Sequence, residues 1–239
     1  MKQQRGLSCL IIATACGTLL VMSRVAVPAD ALQATPSPVT SPATTPQASQ
    51  SDAAAREIAA FARAWAGVTG YSATVTIFDQ KGTQTQNLVF DYTFRKPSNV
   101  TVHVVAGPNS GVTLTWDGGT TVVARRGSGL AALFKRTLSL HDPLVTTLRG
   151  SSIDQLSFGA ILAHGQQEAG SLSEAPGEVI AGVAVNAVTL IPAGSASDAG
   201  LTREVVELST VTHLPLRVLG YDGSTLVRRI DFSNIKLQA

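Results

Sequence analysis

The segment from Ser128 to Gly165 has the sequence SGLAALFKRTLSLHDPLVTTLRGSSIDQLSFGAILAHG. It is strongly apolar and carries helix-start signals, whereas the residues on either side alternate between apolar and polar. Ser128 predicts the cap of a first short helix, Asp142-Pro143 the start of a second, and Ser152-Ile153-Asp154-Gln155 the capping box of a third. Because such an insert must bury its apolar side, we expect a jointed helical lid on one face of a sheet.

The flanking residues predict two antiparallel meanders. Residues 71–126 contain period-two runs such as Tyr71, Ala73, Val75 and Ile77, and Asp117-Gly118-Gly119 is a hairpin signal; five strands are expected. Residues 178–237 predict a second meander, which begins with a strand from Val179 to Leu190. A helix from Ser51 or Asp52 to about Val68 should precede both. The predicted fold class is therefore α+β.

The N-terminus carries a targeting signal, with a basic start at residues 1–5 followed by the apolar run Leu7–Met22. Three interpretations of residues 1–31 fit this layout. They are a signal peptide cleaved near Ala29-Asp30-Ala31, a retained membrane anchor, and a lipoprotein signal with lipidation at Cys16. All three place the remainder outside the cytoplasm.

Residues 32–51 are rich in Pro, Thr, Ser and Ala, lack charge, and include Pro36, Pro38, Pro42 and Pro46. Such a composition buries too little to fold, so it predicts an extended linker to a domain at 52–239.

Charge and cysteine content exclude several classes of function. Beyond residue 30 the chain has 15 basic and 15 acidic residues, which argues against a nucleic-acid partner because phosphate binding needs clustered excess cations. The pairs Arg125-Arg126 and Arg228-Arg229 are expected to face outward from strands. Both cysteines, Cys9 and Cys16, lie in the targeting segment, so the domain can form neither disulfides nor thiolate sites.

No catalytic or metal-binding motif is present. The four histidines, His103, His141, His164 and His213, are dispersed, and none lies at metal-ligand spacing from another. Nucleophile-elbow, zinc-protease, Walker and complete dinucleotide-binding motifs are absent from the sequence. We therefore expect no enzyme activity, no metal and no cofactor.

The order of elements resembles the bacterial lipoprotein-carrier superfamily typified by LolA and LolB. The motifs that carry the resemblance are Phe94-Arg95-Lys96-Pro97, Trp116-Asp117-Gly118-Gly119, Thr212-His213-Leu214-Pro215-Leu216, Tyr221-Asp222-Gly223 and Ile230-Asp231-Phe232-Ser233-Asn234. The resemblance spans Asp52 to Leu237. It implies an incomplete antiparallel β-barrel with a helical lid, and an outer-membrane lipoprotein-sorting type of function.

The resemblance also implies non-enzymatic binding of lipid or lipoprotein acyl chains between sheet and lid. The expected lipid contacts are Leu114, Trp116 and Val123 from the sheet and Leu133, Phe134, Leu138, Leu156, Phe158 and Ile161 from the lid. For each of them the alternative is ordinary core packing. Arg95 would correspond to an arginine that joins lid and barrel. A different hypothesis is an envelope sensor or scaffold that binds envelope membrane proteins and has no lipid cavity.

Overall fold

The strands of the described chain form one open antiparallel sheet. The computed structural model describes residues 47–127, 135–167, 169–194 and 199–238, and within these ranges it contains eleven strands and two helices. The helices are α1 (Gln47–Ala66) and α2 (Phe158–Gln167). The strands are β1 (Gly70–Lys81), β2 (Gln84–Arg95), β3 (Asn99–Ala106), β4 (Val112–Trp116), β5 (Thr121–Arg126), β6 (Lys135–Ser139), β7 (Ala169–Pro176), β8 (Val185–Pro192), β9 (Arg203–Ser209), β10 (Pro215–Asp222) and β11 (Thr225–Gln238).

The sheet joins two meanders through its first and last strands. Its order is β6-β5-β4-β3-β2-β1-β11-β10-β9-β8-β7, so β1 and β11 pair at the centre and β6 and β7 form the two edges. The two predicted meanders and the antiparallel pairing are confirmed. The segment that the sequence singled out, Ser128–Gly165, includes β6 and most of the connection from β6 to β7.

Alternating apolar residues cover one face of the sheet, which we call the inner face. Tyr71, Val75 and Ile77 of β1 are buried, and the register sets Val75 between Phe90 of β2 and Phe232 of β11. Directly opposed residues share a face, so neighbouring strands add their apolar side chains to one continuous core. That core also contains Phe61 of α1 and Phe158 of α2, so both helices pack on the inner face.

The opposite, outer face is polar across β9, β10 and β11. Arg217 lies between Glu207 and Asp231, with N–O distances of 3.2 Å and 2.6 Å. Burial raises the pKa of Glu207 above its usual range, and the Arg217 guanidinium opposes that shift. Because ion pairs occupy this face, the continuous apolar surface of the sheet is the inner face.

Residues of the sequence motifs hold α1 on the sheet. Lys96 Nζ donates to the carbonyl oxygens of Trp65 at 2.7 Å and Ala66 at 3.3 Å, where a cation complements the C-terminal end of the helix dipole. The Glu57 carboxylate accepts from Asn186 Nδ2 at 3.2 Å, and its other oxygen lies 2.9 Å from His213 Nδ1. The helix begins at Gln47, earlier than the predicted start at Ser51 or Asp52.

The predicted three-helix lid is wrong over much of its length. Leu138, expected on a helix, lies in β6 directly opposite Val122, and that pairing buries both side chains. Ser128, Leu130, Leu133 and Phe134 lie outside the described residues. Asp142-Pro143 starts a series of turns instead of a helix, because the Leu148 and Arg149 N–H groups donate to Gln86 and Asp79 of the sheet and Gly150 adopts a φ of 85°.

The third predicted helix exists but begins later. Ala160 N–H donates to Ser157 Oγ at 3.1 Å, so Ser157 caps α2, whereas Ser152 N–H and Gln155 Oε1 close only a turn at 3.2 Å. Tyr92 donates its hydroxyl to the Ile153 carbonyl at 3.1 Å, which is an acceptor that a helix would otherwise use. A buried contact from the sheet therefore competes with helix formation here.

The second meander also departs from prediction at its start. The first strand is β7, a stretch without β-branched residues that the alternation pattern did not reveal. The predicted strand at residues 179–184 is instead a tight turn, in which Ile180 bridges to Val183 and Ala181 and Gly182 have φ values of 48° and 82°. Pairing with β8 supplies the hydrogen bonds that local propensity does not predict.

An aromatic cluster joins both helices to the centre of the sheet. The rings of Tyr71 and Phe158 stack with centroids 4.1 Å apart, and Phe158 meets Phe232 edge-on at 5.2 Å. Trp65 of α1 contacts the same rings, at 6.1 Å from Tyr71 and 6.2 Å from Phe158. Gly159 lets the Trp65 indole approach, since an added Cβ would lie 2.9 Å from Nε1.

We expect Gly159→Ala to be about 1–3 kcal/mol less stable than Gly165→Ala, because the new methyl group overlaps a rigid, packed indole ring. Both glycines lie in α2, but a Cβ at Gly165 has nothing within 4 Å. The two changes share the gain in helix propensity, so chemical denaturation of the pair isolates the steric effect. Equal stabilities would contradict the close packing of Trp65 on α2.

Candidate functional site

A cleft of about 370 Å³ lies between α2, the 149–156 segment and the inner face of the second meander. This volume is within the range of small-molecule sites, towards its lower end. Its lining residues are Arg149, Gly150, Ser151, Gln155, Leu156, Ala160, Ile161, His164, Gly165, Leu190, Ala199, Glu204, Val206, Val218, Arg228 and Ile230.

The wall of the cleft towards α1 is apolar. A second, much smaller pocket of about 30 Å³ is lined by Ile58 and Phe61 of α1, together with residues of α2 and β7–β9. The two cavities share Ile161, Gly165, Leu190 and Val206. Apolar lining therefore continues from the cleft to the underside of α1.

The other end of the cleft is charged. Glu204 of β9, Gly220 of β10, Arg228 of β11 and Asp79 of β1 are opposed in register, so this row lies on the inner face. Arg228 Nε donates to Asp79 Oδ1 at 3.0 Å, with the two side chains 8% and 0% exposed. A buried carboxylate without a partner would be strongly destabilising, so each of these groups depends on the other.

Arg149 binds the 149–156 segment, which we call the covering segment, to this charged end. Its backbone N–H donates to Asp79 Oδ2 at 3.2 Å. Its guanidinium donates to the carbonyl oxygens of Gln80 at 2.6 Å, Ala199 at 2.8 Å and Gly200 at 3.1 Å. One side chain from the 149–156 segment therefore holds β1 and the β8–β9 connection together.

The end of α2 is held to the sheet by a histidine–carboxylate pair. His164 Nε2 lies 2.7 Å from Glu204 Oε1, and Glu204 is buried. The sequence analysis assigned His164 to a helix end, where it does lie, but did not predict the strand partner. Sequence alone contains no signal for this contact, since the two residues are brought together only by the packing of α2 over β9.

The predicted lipid contacts do not lie together. Leu156 and Ile161 line the cleft. Leu114, Leu138 and Phe158 are buried in the filled core of the first meander. Leu133 and Phe134 lie outside the described residues.

The remaining predicted site residues lie elsewhere. Trp116 is half-buried, and its Nε1 donates to the Gly119 carbonyl at 2.5 Å in the β4–β5 hairpin. The prediction for Val123 is corrected, because it is opposed to Thr115 and Thr137 and so lies on the outer face, away from Leu114. Arg95 is exposed at the end of β2, and the contacts between covering segment and sheet involve Arg149 instead.

The sequence analysis missed the charged end of the cleft. Arg228 was expected to face outward, but it is buried on the inner face. The alternation pattern indicated this burial, because Arg228 lies two and four residues before the buried Ile230 and Phe232 and therefore on the same side of β11. Asp79 was assigned to turn chemistry, although it continues the alternation of Val75 and Ile77.

Two features often sought at functional sites are absent from the described residues. No group of three or more histidine, cysteine, aspartate or glutamate side chains in these ranges could hold a metal ion. Among the same residues, no helix has the length and apolar character needed to cross a membrane.

Comparison with known proteins gives matches among solved structures only. No family model and no curated protein sequence matches the chain. LprF from Mycobacterium bovis is 14% identical, with 78% of this chain and 94% of that chain covered and a TM-score of 0.47. LppX, a lipoprotein of Mycobacterium tuberculosis, has the same identity and coverage and a TM-score of 0.45. A LolA superfamily protein from Nitrosomonas europaea is 11% identical over 80% of this chain and 94% of that one, with a TM-score of 0.35.

We expect Arg149→Ala to destabilise the protein by about 1–3 kcal/mol, because three carbonyl oxygens lose a charged donor. The effect should be local. The amides of Leu148 and Arg149, which donate to Gln86 and Asp79, should exchange with deuterium faster than in the wild type. Arg125→Ala on the exposed outer face of β5 is the matched control, and equal exchange in the two variants would contradict the anchoring role of Arg149.

Proposed function

We propose that the domain binds an acyl chain of a lipid or lipoprotein in the cleft between α2, the 149–156 segment and β8–β11, without catalysis. The observation that carries this proposal is the continuity of the apolar lining from the cleft to the pocket beneath α1. The site lies on the second meander, whereas the sequence analysis expected it over β4 and β5.

The side chains along this path are aliphatic and suit an alkyl chain. Leu190, Val206, Val218 and Ile230 form the floor, and Leu156 and Ile161 form part of the cover. Burial of alkyl chain contributes ~0.8 kcal/mol per methylene, so ten buried methylenes would supply ~8 kcal/mol before the costs of ordering. Binding of this kind needs no net charge on the protein.

The cover is built so that it can move. Within α2, Phe158 is the buried residue, whereas Ile161 and Leu162 are only partly buried against the core. The turn segment before α2 is joined to the sheet by one hydrogen bond each from Tyr92 and Tyr71 and by the several hydrogen bonds of Arg149. Partly buried apolar side chains over an existing cleft support entry of an elongated ligand.

We place this activity outside the cytoplasm, either in the periplasm or at the cell surface. The basic residues followed by the apolar run Leu7–Met22 support export. This segment lies outside the described residues, so whether it is cleaved, retained as an anchor or lipidated at Cys16 remains part of the proposal.

A second candidate is a sensor or scaffold domain that binds an envelope protein. One observation favours it: the first meander, where a lipid cavity was expected, is filled by Leu114, Leu138 and the aromatic cluster around Phe158. Tight packing in this region is what the scaffold hypothesis predicts.

Ala160→Trp tests the lipid hypothesis, because Ala160 lines the cleft and an indole there would occupy space that the chain needs. We expect the wild-type domain to carry co-purifying lipid in native mass spectrometry. It should also bind a fluorescent fatty acid at least tenfold more tightly than the variant does.

Ala59→Trp, on the exposed side of α1, is the matched control and should bind as the wild type does. Ligand-free wild-type protein with no fatty-acid binding would exclude the lipid hypothesis and leave the scaffold. Equal binding by all three proteins would show that the chain lies elsewhere.

A further inference from the structure

Arg228 has a hydrogen-bonding group that the described chain does not satisfy. Its Nη2 is buried without a partner, although the residue as a whole is 6% exposed and lines the cleft. Buried donors of charged groups are rarely left unpaired in native structures. The one other such atom in the described ranges, Arg203 Nε, belongs to a half-buried guanidinium that packs over the Tyr221 ring at 3.9 Å.

The charges around Arg228 leave room for an anion. Asp79 is its one carboxylate partner, and Asp79 also accepts the Arg149 backbone N–H. The Arg149 guanidinium is directed at uncharged carbonyl oxygens of Gln80, Ala199 and Gly200. Glu204, the other carboxylate of this row, is paired with His164. Arg228 therefore faces one carboxylate partner, that of Asp79, whose second oxygen is already used by the Arg149 backbone N–H.

We propose that Arg228 is the headgroup site for an anionic amphiphile, whose carboxylate or phosphate accepts from Nη2 while its alkyl chain follows the apolar lining. This inference rests on the proposed function, since it assigns the polar end of the same cleft. Guanidinium groups form strong, charge-assisted hydrogen bonds with the oxygens of carboxylate and phosphate. An alcohol or an ester has no negative charge and cannot form such a bond.

The apolar lining gives the ligand a direction. Nη2 is buried although Arg228 lines the cleft, so an oxygen atom reaches it after a small movement of the arginine side chain towards the cleft. From Arg228 the floor continues through Ile230, Val218 and Val206 towards Leu190, where the pocket beneath α1 begins. The charged head of the bound ligand therefore lies at Arg228, and its chain extends towards α1.

The test compares laurate, dodecyl phosphate and 1-dodecanol, which share one alkyl chain, and uses inorganic phosphate and acetate as headgroups without a chain. A charged hydrogen bond in a desolvated site predicts that the wild type binds both anionic amphiphiles about tenfold to hundredfold more tightly than dodecanol. Isothermal titration calorimetry on the purified domain supplies the affinities. Binding of phosphate or acetate as tightly as laurate would overturn the amphiphile and indicate a site for free anions.

Arg228→Lys is the main variant, because an ammonium group keeps a cation beside Asp79 but removes the planar Nη2 donor. It should lose most of the preference for laurate over dodecanol while its affinity for dodecanol is unchanged. The double change Asp79→Asn with Arg228→Met removes both charges together and covers the case in which the lysine variant does not fold. Arg229, the next residue on β11, is half-exposed and pairs with Asp231 at 2.6 Å, so Arg229→Lys is the control.

The outcomes separate the two proposals. Equal binding of laurate and dodecanol by the wild type overturns the headgroup site but leaves acyl-chain binding in place. A preference for laurate that survives both Arg228 variants also overturns it. Binding of none of the three amphiphiles contradicts the proposed function itself.

Discussion

The buried carboxylate of Asp79 connects three distant parts of the chain. It lies on β1, pairs with Arg228 of β11 at 3.0 Å, and accepts the backbone N–H of Arg149 from the covering segment at 3.2 Å. Transfer of a carboxylate into a protein interior is costly unless it is paired, so these two contacts stabilise the buried Asp79 together. The pairing of first and last strands and the position of the cover are thereby set by one group.

Two buried tyrosines extend this coupling along the cover. Burial raises the pKa of Tyr71 and of Tyr92 well above the usual range, so both hydroxyls stay neutral and can donate. Tyr92 donates to the Ile153 carbonyl and Tyr71 to the Leu156 carbonyl, at 3.1 Å and 3.4 Å. These contacts satisfy backbone acceptors that would otherwise be buried, and they explain why a sequence with helix signals at 152–156 forms a turn.

Period-two alternation predicted most of the sheet, because side chains on a strand with one buried face must alternate. It placed β1 to β5 and β9 to β11 in the correct order. It failed where a distant partner decides the local structure. Leu138 belongs to a strand because Val122 lies opposite it, and β7 exists because β8 supplies its hydrogen bonds.

The same reasoning explains the errors at the site. Val123 has an apolar side chain but lies on the outer face, so the apolar character of a residue did not identify the face of the sheet on which it lies. Arg228 was assigned outward on its charge alone, although its parity with Ile230 and Phe232 indicated the inner face. Only the structure shows the partner, Asp79, that makes a buried arginine tolerable. Leu156 and Ile161 line the cleft because they belong to a segment that has no other surface to cover than the inner face, and their contact with lipid stays a prediction.

The two meanders differ in the size and stiffness of their inner side chains, and this difference places the cleft. Under the end of α1 and the start of α2, the core is built from the contacting rings of Trp65, Tyr71, Phe158 and Phe232. Further along α2 the floor of the cleft is formed by the shorter side chains of Val206, Val218 and Ile230. The hydrogen bonds of Arg149 to backbone carbonyls and of His164 to Glu204 hold α2 and the 149–156 segment at their distance from this floor. A rigid aromatic end therefore anchors the helices, while the aliphatic end leaves a space that an alkyl chain can fill. Binding in this arrangement requires separation of a few polar contacts and no repacking of the aromatic core.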